Sequence, residues 1–270
     1  MAGLLLVCPT PIGNLGDVTL RVLDALREAD AVACEDTRRT RVLLDRHGIR
    51  TPLVSYHEHN ERARAAELVG RLVEGARIAL VSDAGMPLVN DPGYVLLQGA
   101  VEAGVRVEVL PGPSAVVTAL VASALPVGTW RFAGYLPRKR AALEEVFGSG
   151  ETVVAFESAR RLAASLRVLA AIDPERPVAV CRELTKLHEE VVRGEAEELA
   201  ARYEQEEPRG EIVVVVGPAP AAAGDLGTAV DAVRRLVAAG SKPRPAAGVV
   251  AELTGTSAND LYRALTSRAG

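Results

Sequence analysis

The chain has 270 residues, enough for two domains with their own cores, and a formal net charge of −4 at pH 7. Hydrophobic residues make up 49% of the sequence and aromatic residues 3%, and no apolar run approaches the roughly 20 residues that span a bilayer. This composition argues against a transmembrane helix, against nucleic-acid binding by overall charge, and against an aromatic platform for stacking bases.

The start of the chain, MAGLLLVCPT, lacks the basic segment and the long apolar run of a signal peptide. We interpret it as a first buried strand and expect a cytosolic protein. Three cysteines, Cys8, Cys34 and Cys181, lie far apart and follow no CxxC or Cys/His ligand pattern. We therefore expect reduced, buried thiols, no disulfide framework and no metal site.

Apolar runs alternate with amphipathic segments in the first half of the chain. They predict strands at residues 3–8, 31–35, 53–56, 77–83 and 105–110, each followed by a helix. Asn60, Asp91 and Ser114 are suited to cap three of these helices, and Pro92 to begin one of them. The alternation predicts a mostly parallel sheet with helices on both faces.

The pattern pauses at residues 126–128, where we place the boundary between an N-terminal domain (1–126) and a C-terminal domain (127–218). The second domain has predicted strands at 130–136, 151–157, 177–184, 189–193 and 211–216, and predicted helices at 140–147, 159–172 and 195–205. Two consecutive strands, near Cys181 and Val191, indicate an antiparallel pair and hence a mixed sheet. Residues 219–270 complete the chain with a linker (218–227) and two or three short helices, for which Ser257 and Asp260 offer a capping box.

Three loops rich in proline and glycine follow predicted strands, with the sequences CPTPIGNLGD, SDAGMP and LPGPSA. In a parallel sheet all three emerge at the edge where open α/β sheets bind ligands, and their small residues let backbone groups approach a ligand closely. The chain has neither a GxGxxG dinucleotide fingerprint nor a GxxxxGK[ST] phosphate loop. The alternative is that residues such as Gly85 and Pro87 only shape a connection.

These loops belong to a longer series of motifs, which reads PTPIGNLGD, TLR, EDTR, SYHEHNE, SDAGMPLVNDPG, LPGPSA, LPRK, ES–RL and RELTK. In this order, over residues 4–217, the series resembles the tetrapyrrole methylase superfamily. Within it, the motifs resemble the bacterial enzymes that methylate the ribose 2′-hydroxyl of a decoding-region cytidine in small-subunit ribosomal RNA. Tetrapyrrole-modifying members tend to carry GPGD in the first loop and Gly-Asp-Pro in the second. Here the loops read PIGNLGD and DAGMP, which favours the RNA branch.

The resemblance implies a homodimeric two-domain α/β methylase that holds S-adenosylmethionine in the cleft between its domains. The residues at matching positions would line that cofactor: Thr10, Pro11 and Gly13 from the first loop, Ser82, Asp83, Ala84, Gly85 and Met86 from the second, Ser114 and Ala115 from the third, and Glu157 and Ser158 from the second domain. Valine at Gly85 is expected to weaken cofactor binding by occupying space that the backbone leaves open.

The chemistry of methyl transfer constrains the remaining roles. Displacement at a sulfonium depends mostly on orientation and proximity, and a weakly acidic ribose hydroxyl benefits from a general base or a positive neighbour. We hypothesise that Asp36, His57, Glu58 or Lys139 contacts or activates the hydroxyl. The alternatives are that Asp36 caps the following helix and that His57 is an exposed helix-entry residue, and the HEH sequence is not a metal ligand set by its spacing alone.

Two basic clusters are suited to contact RNA phosphates: Arg38, Arg39 and Arg41, and Arg138, Lys139 and Arg140. Arg160, Arg161, Lys242 and Arg244 could extend them, although a solvated charged face is the usual role of any one cluster. With so few aromatic residues, specificity is expected to come from shape within an assembled small ribosomal subunit. Two other functions stay open at this point: methylation of a tetrapyrrole or of a protein side chain, and non-catalytic RNA binding by the same fold.

Overall fold

The computed structural model describes residues 3–219 and 226–266. In the first half, strands and helices alternate as the sequence predicts. The strands are β1 (Leu4–Val7), β2 (Ala31–Cys34), β3 (Leu53–Ser55), β4 (Arg77–Leu80) and β5 (Arg106–Val109). The helices are α1 (Leu20–Glu28), α2 (Thr37–Arg46), α3 (Glu61–Val73), α4 (Tyr94–Glu102) and α5 (Ala115–Ser123).

The five strands form a fully parallel sheet in the order β3-β2-β4-β1-β5, which confirms the predicted architecture. Helices cover both faces because successive residues of a strand point to opposite sides. Leu6 of β1 packs with α1 and α2 on one face, whereas Leu5 packs with α3 and α4 on the other. The carboxyl ends of all five strands therefore lie at one edge of the sheet.

The second half forms a mixed sheet in the order β6-β7-β10-β8-β9. Its elements are β6 (Trp130–Tyr135), α6 (Arg140–Phe147), β7 (Thr152–Ser158), α7 (Ala159–Ile172), β8 (Pro177–Arg182), β9 (Glu190–Glu195), α8 (Ala196–Gln205) and β10 (Glu211–Val216). Only β6 and β7 are parallel, and the other neighbouring pairs are antiparallel. Cys181 pairs directly with Val191, which confirms the antiparallel element.

Helix α5 joins the two sheets. Although it follows β5 of the first sheet, its buried residues Val116 and Leu120 pack with Ala179, Cys181 and Val215 of the second sheet. Helices α6, α7 and α8 cover the opposite face of that sheet. The loop before α5 is therefore held between the two sheets, and the domain boundary at residues 126–128 stays a prediction.

The tail forms three short helices, α9 (Leu226–Ala238), α10 (Pro243–Thr254) and α11 (Ala258–Thr266), as expected. They share a hydrophobic cluster of their own, which includes Val233, Ala247 and Leu261. Ser257 Oγ accepts a hydrogen bond from the backbone N–H of Asp260 at 3.3 Å, which is one half of the predicted capping box. Residues 220–225 of the predicted linker lie outside the described residues, and no described helix is long and apolar enough to cross a membrane.

Two predicted helix starts are wrong in detail. Helix α4 begins at Tyr94, not at Asp91-Pro92, because the chain first turns through Gly93, whose φ of 140° is outside the helical region. Asn60 does precede α3, but its side-chain oxygen accepts from the backbone N–H of His57 at 2.9 Å and does not cap the helix. Ser114 does cap α5, accepting from Val117 N–H at 3.5 Å.

The three cysteines are buried and free, as expected. Burial raises the pKa of Cys8 to about 12 and that of Cys181 to about 11, and it raises the pKa of Cys34 as well. Since the thiolate is the reactive form, these side chains act as small apolar groups of the core. Across residues 3–219 and 226–266, no three His, Cys, Asp or Glu side chains are arranged to hold a metal ion.

Candidate functional site

A cavity of about 440 Å³ lies where the carboxyl edge of the first sheet faces the second sheet. Its volume is within the range of roughly 300–1,000 Å³ that small-molecule sites occupy. The lining combines residues from three of the four predicted regions: Asp83, Ala84, Gly85 and Met86 of the second loop, Ser114 and Ala115 of the third, and Glu157 and Ser158 at the end of β7. The structure therefore brings these eight predicted residues together.

The first and second loops are joined by their backbones. The N–H of Thr10 donates to the carbonyl of Gly85 at 2.8 Å, and the N–H of Gly85 donates to the carbonyl of Thr10 at 3.0 Å. The hydroxyl of Thr10 donates to the Ser82 carbonyl and that of Ser82 to the Gly85 carbonyl, both at 3.0 Å. The loop groups thus satisfy one another, which fixes the shape of this wall before any ligand arrives.

Glycine is required where this wall turns and where it meets the second sheet. Gly85 has a φ of +77°, a left-handed conformation that costs other residues about 1–2 kcal/mol. A Cβ at Gly13 would clash with Cγ of Lys186 in the loop after β8. Thr10, Pro11, Gly13 and Ser82 line a second, adjoining cavity of about 300 Å³.

Five acidic residues and one arginine, Arg39, line the main cavity, and three of the acidic residues, Glu35, Asp83 and Asp91, come from the first half of the chain. Arg39 Nη1 lies 3.5 Å from Asp83 Oδ2. Burial raises the pKa of Asp91 to about 6, and the charges of Glu35 and Asp83 add to the shift. Burial, followed by the charge of Asp83, also raises the pKa of Glu35. A positively charged ligand group would relieve this excess of negative charge.

The carboxylate of Glu157 lines the cavity, and both of its oxygens already accept hydrogen bonds from the protein. Its Oε1 accepts from the Ser158 N–H at 2.7 Å, and its Oε2 accepts from the Ser165 hydroxyl at 2.5 Å. Oε2 also lies 3.2 Å from Nη2 of Arg161, which donates at 2.9 Å to the carbonyls of both Leu136 and Pro137. Glu157 therefore supports the chain segment that follows β6.

Asp36 caps α2, as its alternative interpretation predicts. Its Oδ1 accepts from the Arg38 N–H at 2.8 Å, and its Oδ2 lies 2.7 Å from Arg38 Nη2. These hydrogen bonds lower the pKa of Asp36, which makes its carboxylate a weaker proton acceptor. The backbone N–H of Asp36 donates to Asp83 Oδ1 at 3.0 Å, so the residue is one hydrogen bond away from the cavity wall.

The other residues predicted to act on the hydroxyl follow the ends of strands β3 and β6. His57 is half-buried, with its ring Nε2 3.2 Å from Asn60 Nδ2, while Glu58 is exposed beyond β3 and Lys139 precedes α6. None of these three, nor Asp36, belongs to the lining of the two cavities as the described residues define it.

The predicted RNA-contacting residues differ in their exposure and in whether they form ion pairs. Arg39 lines both cavities, Arg38 is paired with Asp36, and Arg41 is half-buried on α2. Arg140 pairs with Glu144 at 2.8 Å. Arg138 and Lys139 are exposed, and neither forms an ion pair within the part of the chain that the structure describes.

Sequence reasoning missed several lining residues, among them Glu35, Asp91, Tyr135 and Phe156. The sequence shows an acidic pair after β2, in which Asp36 has the position of a helix cap and Glu35 precedes it. The Asp91-Pro92 sequence favours a helix cap, and the low aromatic content gives no indication of Tyr135 or Phe156. A search for polar or aromatic residues at the end of each predicted strand would have found Glu35, Tyr135 and Phe156, but not Asp91.

Comparison with known proteins places the chain in a family. The sequence model of the tetrapyrrole (corrin/porphyrin) methylases matches residues 5–200. The chain belongs to the tetrapyrrole methylase family. The chain is 46% identical to ribosomal RNA small subunit methyltransferase I of Micromonospora olivasterospora, over 100% of this chain and 89% of that protein. It is 43% identical to the protein of the same name from Escherichia coli O157:H7, over 97% of this chain and 94% of the other.

The family fold is also evident among solved structures. Uroporphyrin-III C-methyltransferase from Thermus thermophilus, in a complex with S-adenosylhomocysteine, aligns with a TM-score of 0.56. The alignment covers 80% of this chain and 97% of that one, at 20% sequence identity. At this identity the likeness shows the fold alone.

Proposed function

We propose that the protein transfers a methyl group from S-adenosylmethionine to the ribose 2′-hydroxyl of a cytidine in the decoding region of small-subunit ribosomal RNA. The observation that carries this proposal is the similarity over nearly the whole chain to proteins named as ribosomal RNA small subunit methyltransferases, at 46% and 43% identity. The cleft between the two sheets supports it, because it offers a preformed site for a small ligand beside exposed basic residues.

The main cavity fits S-adenosylmethionine in size and charge. When bound, this cofactor supplies an electrophilic methyl group on a positively charged sulfur. Glu35, Asp83 and Asp91 provide negative charge, while the Gly85 turn leaves room for close approach of the backbone. Ile12, Val116 and Leu184 add apolar surface from both sides of the cleft. The residues of the second and third loops would hold the cofactor, and the first loop would fix their position.

The residues around the cavity would orient and activate the acceptor. His57 and Asp36 follow the first-sheet strands, and Lys139 follows β6 of the second sheet, so they approach the cavity from two sides. Single alanine variants of Asp36, His57, Glu58 and Lys139 separate their roles when turnover and cofactor affinity are both measured. A general base at one position predicts a loss of about 10²-fold or more in kcat with unchanged cofactor affinity. Unchanged turnover in all four would remove them from the reaction.

The direct test is to incubate the protein with radiolabelled S-adenosylmethionine and small ribosomal subunits that lack the modification. The methylated nucleotide is then mapped by nuclease digestion and mass spectrometry. The proposal predicts one 2′-O-methylcytidine in the decoding region. Methyl incorporation into a corrinoid or into a protein, tested in parallel, would favour another substrate class, and no transfer to any acceptor would favour a binding module.

We also propose that the protein acts in the cytoplasm as a homodimer on the assembled subunit. An apolar stripe on α5 supports self-association, since Val117 and Val121 lie one turn apart and are 48% and 72% exposed. Light scattering measures the mass in solution, and comparison of naked RNA with intact subunits as acceptors tests the requirement for assembly.

A further inference from the structure

The second-sheet side of the cleft carries an aromatic cluster that composition alone did not suggest. The rings of Phe132 and Phe156 pack edge to face with their centroids 5.1 Å apart. The ring of Tyr135 lies 5.4 Å from that of Phe156, at an angle of 59°. In a chain with only 3% aromatic residues, these three meet at one wall, and both Tyr135 and Phe156 line the cavity.

A β-bulge directs Tyr135 to this position. The pairing of β6 with β7 shifts register between Phe132 and Tyr135, and Gly134 adopts a φ of +66°. A Cβ at Gly134 would lie 3.4 Å from the side chain of Asn90 in the second loop. Bulges beside functional sites commonly re-aim a side chain, and here the bulge lies beside Asn90 of the opposite wall.

Hydrogen bonds fix the backbone that follows Tyr135, yet the side chain of Tyr135 is not covered. The N–H of Leu136 donates to the carbonyl of Phe156, and Arg161 binds the carbonyls of Leu136 and Pro137, all at 2.9 Å. Nevertheless, 63% of Tyr135 is exposed. A large ring held rigidly at the mouth of a cavity offers contact area at a small entropic cost.

Cations lie beside this ring in the sequence. Arg138 and Lys139 follow three and four residues later, exposed and without an ion pair among the described residues. An aromatic face next to unpaired cations is the combination that recognises an unstacked nucleotide, because the ring stacks on the base while the cations bind the phosphates.

We propose that the base of the acceptor nucleotide stacks on Tyr135, which brings its ribose to the mouth of the cavity. This inference rests on the proposed function and adds the residue that receives the base. It also explains how a chain so poor in aromatic residues binds a base: a single exposed ring suffices when Phe156 supports it from behind.

The experiment compares Tyr135→Leu and Tyr135→Phe with the wild-type protein on small ribosomal subunits. Stacking predicts that Tyr135→Leu lowers kcat/KM for the subunits by about tenfold or more, whereas Tyr135→Phe stays within about twofold of wild type. Cofactor affinity, measured by calorimetry, is expected to be unchanged in both. Trp130→Leu, at the opposite end of β6, is the control for changes in the strand itself.

The outcomes distinguish this inference from the proposed function. No methyl transfer to subunits by the wild-type protein would overturn both. Transfer by the wild type with normal kcat/KM in Tyr135→Leu would overturn the stacking alone. The same holds if Tyr135→Leu weakens cofactor binding, which would make Tyr135 a cofactor contact, or if Tyr135→Phe is as impaired as Tyr135→Leu, which would assign the role to the hydroxyl.

Photocrosslinking gives a readout that does not depend on turnover. Subunits are reconstituted with RNA that carries 5-iodocytidine at the mapped target and are irradiated with the protein bound. The proposal predicts a crosslinked peptide that contains Tyr135 and the loss of that crosslink in Tyr135→Leu. A crosslink confined to another residue would overturn it.

Discussion

The two sides of the cleft are built in opposite ways. On the first-sheet side, the polar groups of Thr10, Ser82 and Gly85 bond to one another, so the wall is complete without a ligand. On the second-sheet side, Tyr135 and Arg138 are exposed on a segment that Arg161 holds from beneath. A wall whose polar groups already bond to one another is suited to a small ligand that is the same in every reaction cycle. Exposed side chains at the rim are suited to a large acceptor that is already folded when it binds.

The largest expected effect on cofactor binding concerns the first wall. In Gly85→Ala, the left-handed backbone and a Cβ 3.3 Å from Ile12 should both distort the loop, and we expect about tenfold weaker binding of S-adenosylmethionine. Gly104→Ala is the matched control, since Gly104 also has a positive φ (+71°) but no atom within 4 Å of the added Cβ. Calorimetry on both variants checks this. Equal cofactor affinities in the two would remove Gly85 from the site.

Arg161→Ala tests whether Arg161 holds the segment that follows β6 on the second-sheet side of the cleft. This change removes two hydrogen bonds to carbonyls and leaves the fully buried carboxylate of Glu157 without its cation. Because Arg161 itself is 31% exposed, we expect a loss of about 2 kcal/mol in the free energy of unfolding, measured in urea. Arg160→Ala, an exposed neighbour, should cost less than about 0.5 kcal/mol. A similar loss in both variants would contradict the assigned role.

Asp91 gives the first wall a dependence on pH. Its pKa of about 6 in the folded protein lies above the ordinary value of 3.8, so the folded state holds an extra proton between these values. Stability is therefore lost as the pH rises from about 4 to about 6. Allowing for solvent screening of this half-buried group, Asp91→Asn should gain about 1 kcal/mol at pH 7.5 and nothing at pH 4.

Urea unfolding at the two pH values measures this difference. Asp45→Asn, an exposed carboxylate on α2, is the control. If Asp91→Asn shows the same difference from wild type at both pH values, the carboxylate does not titrate in the way that its surroundings imply.

The smallest effect is expected at the rim. Arg138→Ala removes one unpaired cation, which should weaken binding to small subunits about threefold and lower the slope of log affinity against log salt by about 1. Cofactor affinity should stay the same. Arg50→Ala, an exposed arginine that precedes β3 at the opposite edge of the first sheet, should change neither quantity. A filter-binding salt titration compares the two, and identical slopes would contradict a phosphate contact at Arg138.

Much of the fold was predictable because hydrophobic periodicity reports it locally. Buried strands such as β1 and β2 are continuous apolar runs. Because the carboxyl ends of parallel strands lie at one edge of the sheet, the three loops that follow such strands are then predicted to lie together. The start of α4 was not predictable, because Asp91-Pro92 has the residues of a helix start while Gly93 decides the backbone. The backbone conformation at Gly93 depends on how the neighbouring loops pack, which no local sequence pattern encodes.

The site was less predictable than the fold for the same reason. The pairing of Thr10 with Gly85 and the packing of α5 on the second sheet join residues far apart in the chain. Composition was misleading for the aromatic residues, because a percentage carries no information on where three rings meet. The catalytic assignments to Asp36, His57, Glu58 and Lys139 stay predictions.

The three buried cysteines make the protein a convenient background for chemical probes. Because Cys8, Cys34 and Cys181 are inaccessible and protonated at neutral pH, a thiol reagent should leave the native protein unmodified. One cysteine introduced beside Tyr135 would then be the sole site of labelling. A fluorophore attached there could follow the docking of a ribosomal subunit in real time, with no native residue to be removed first.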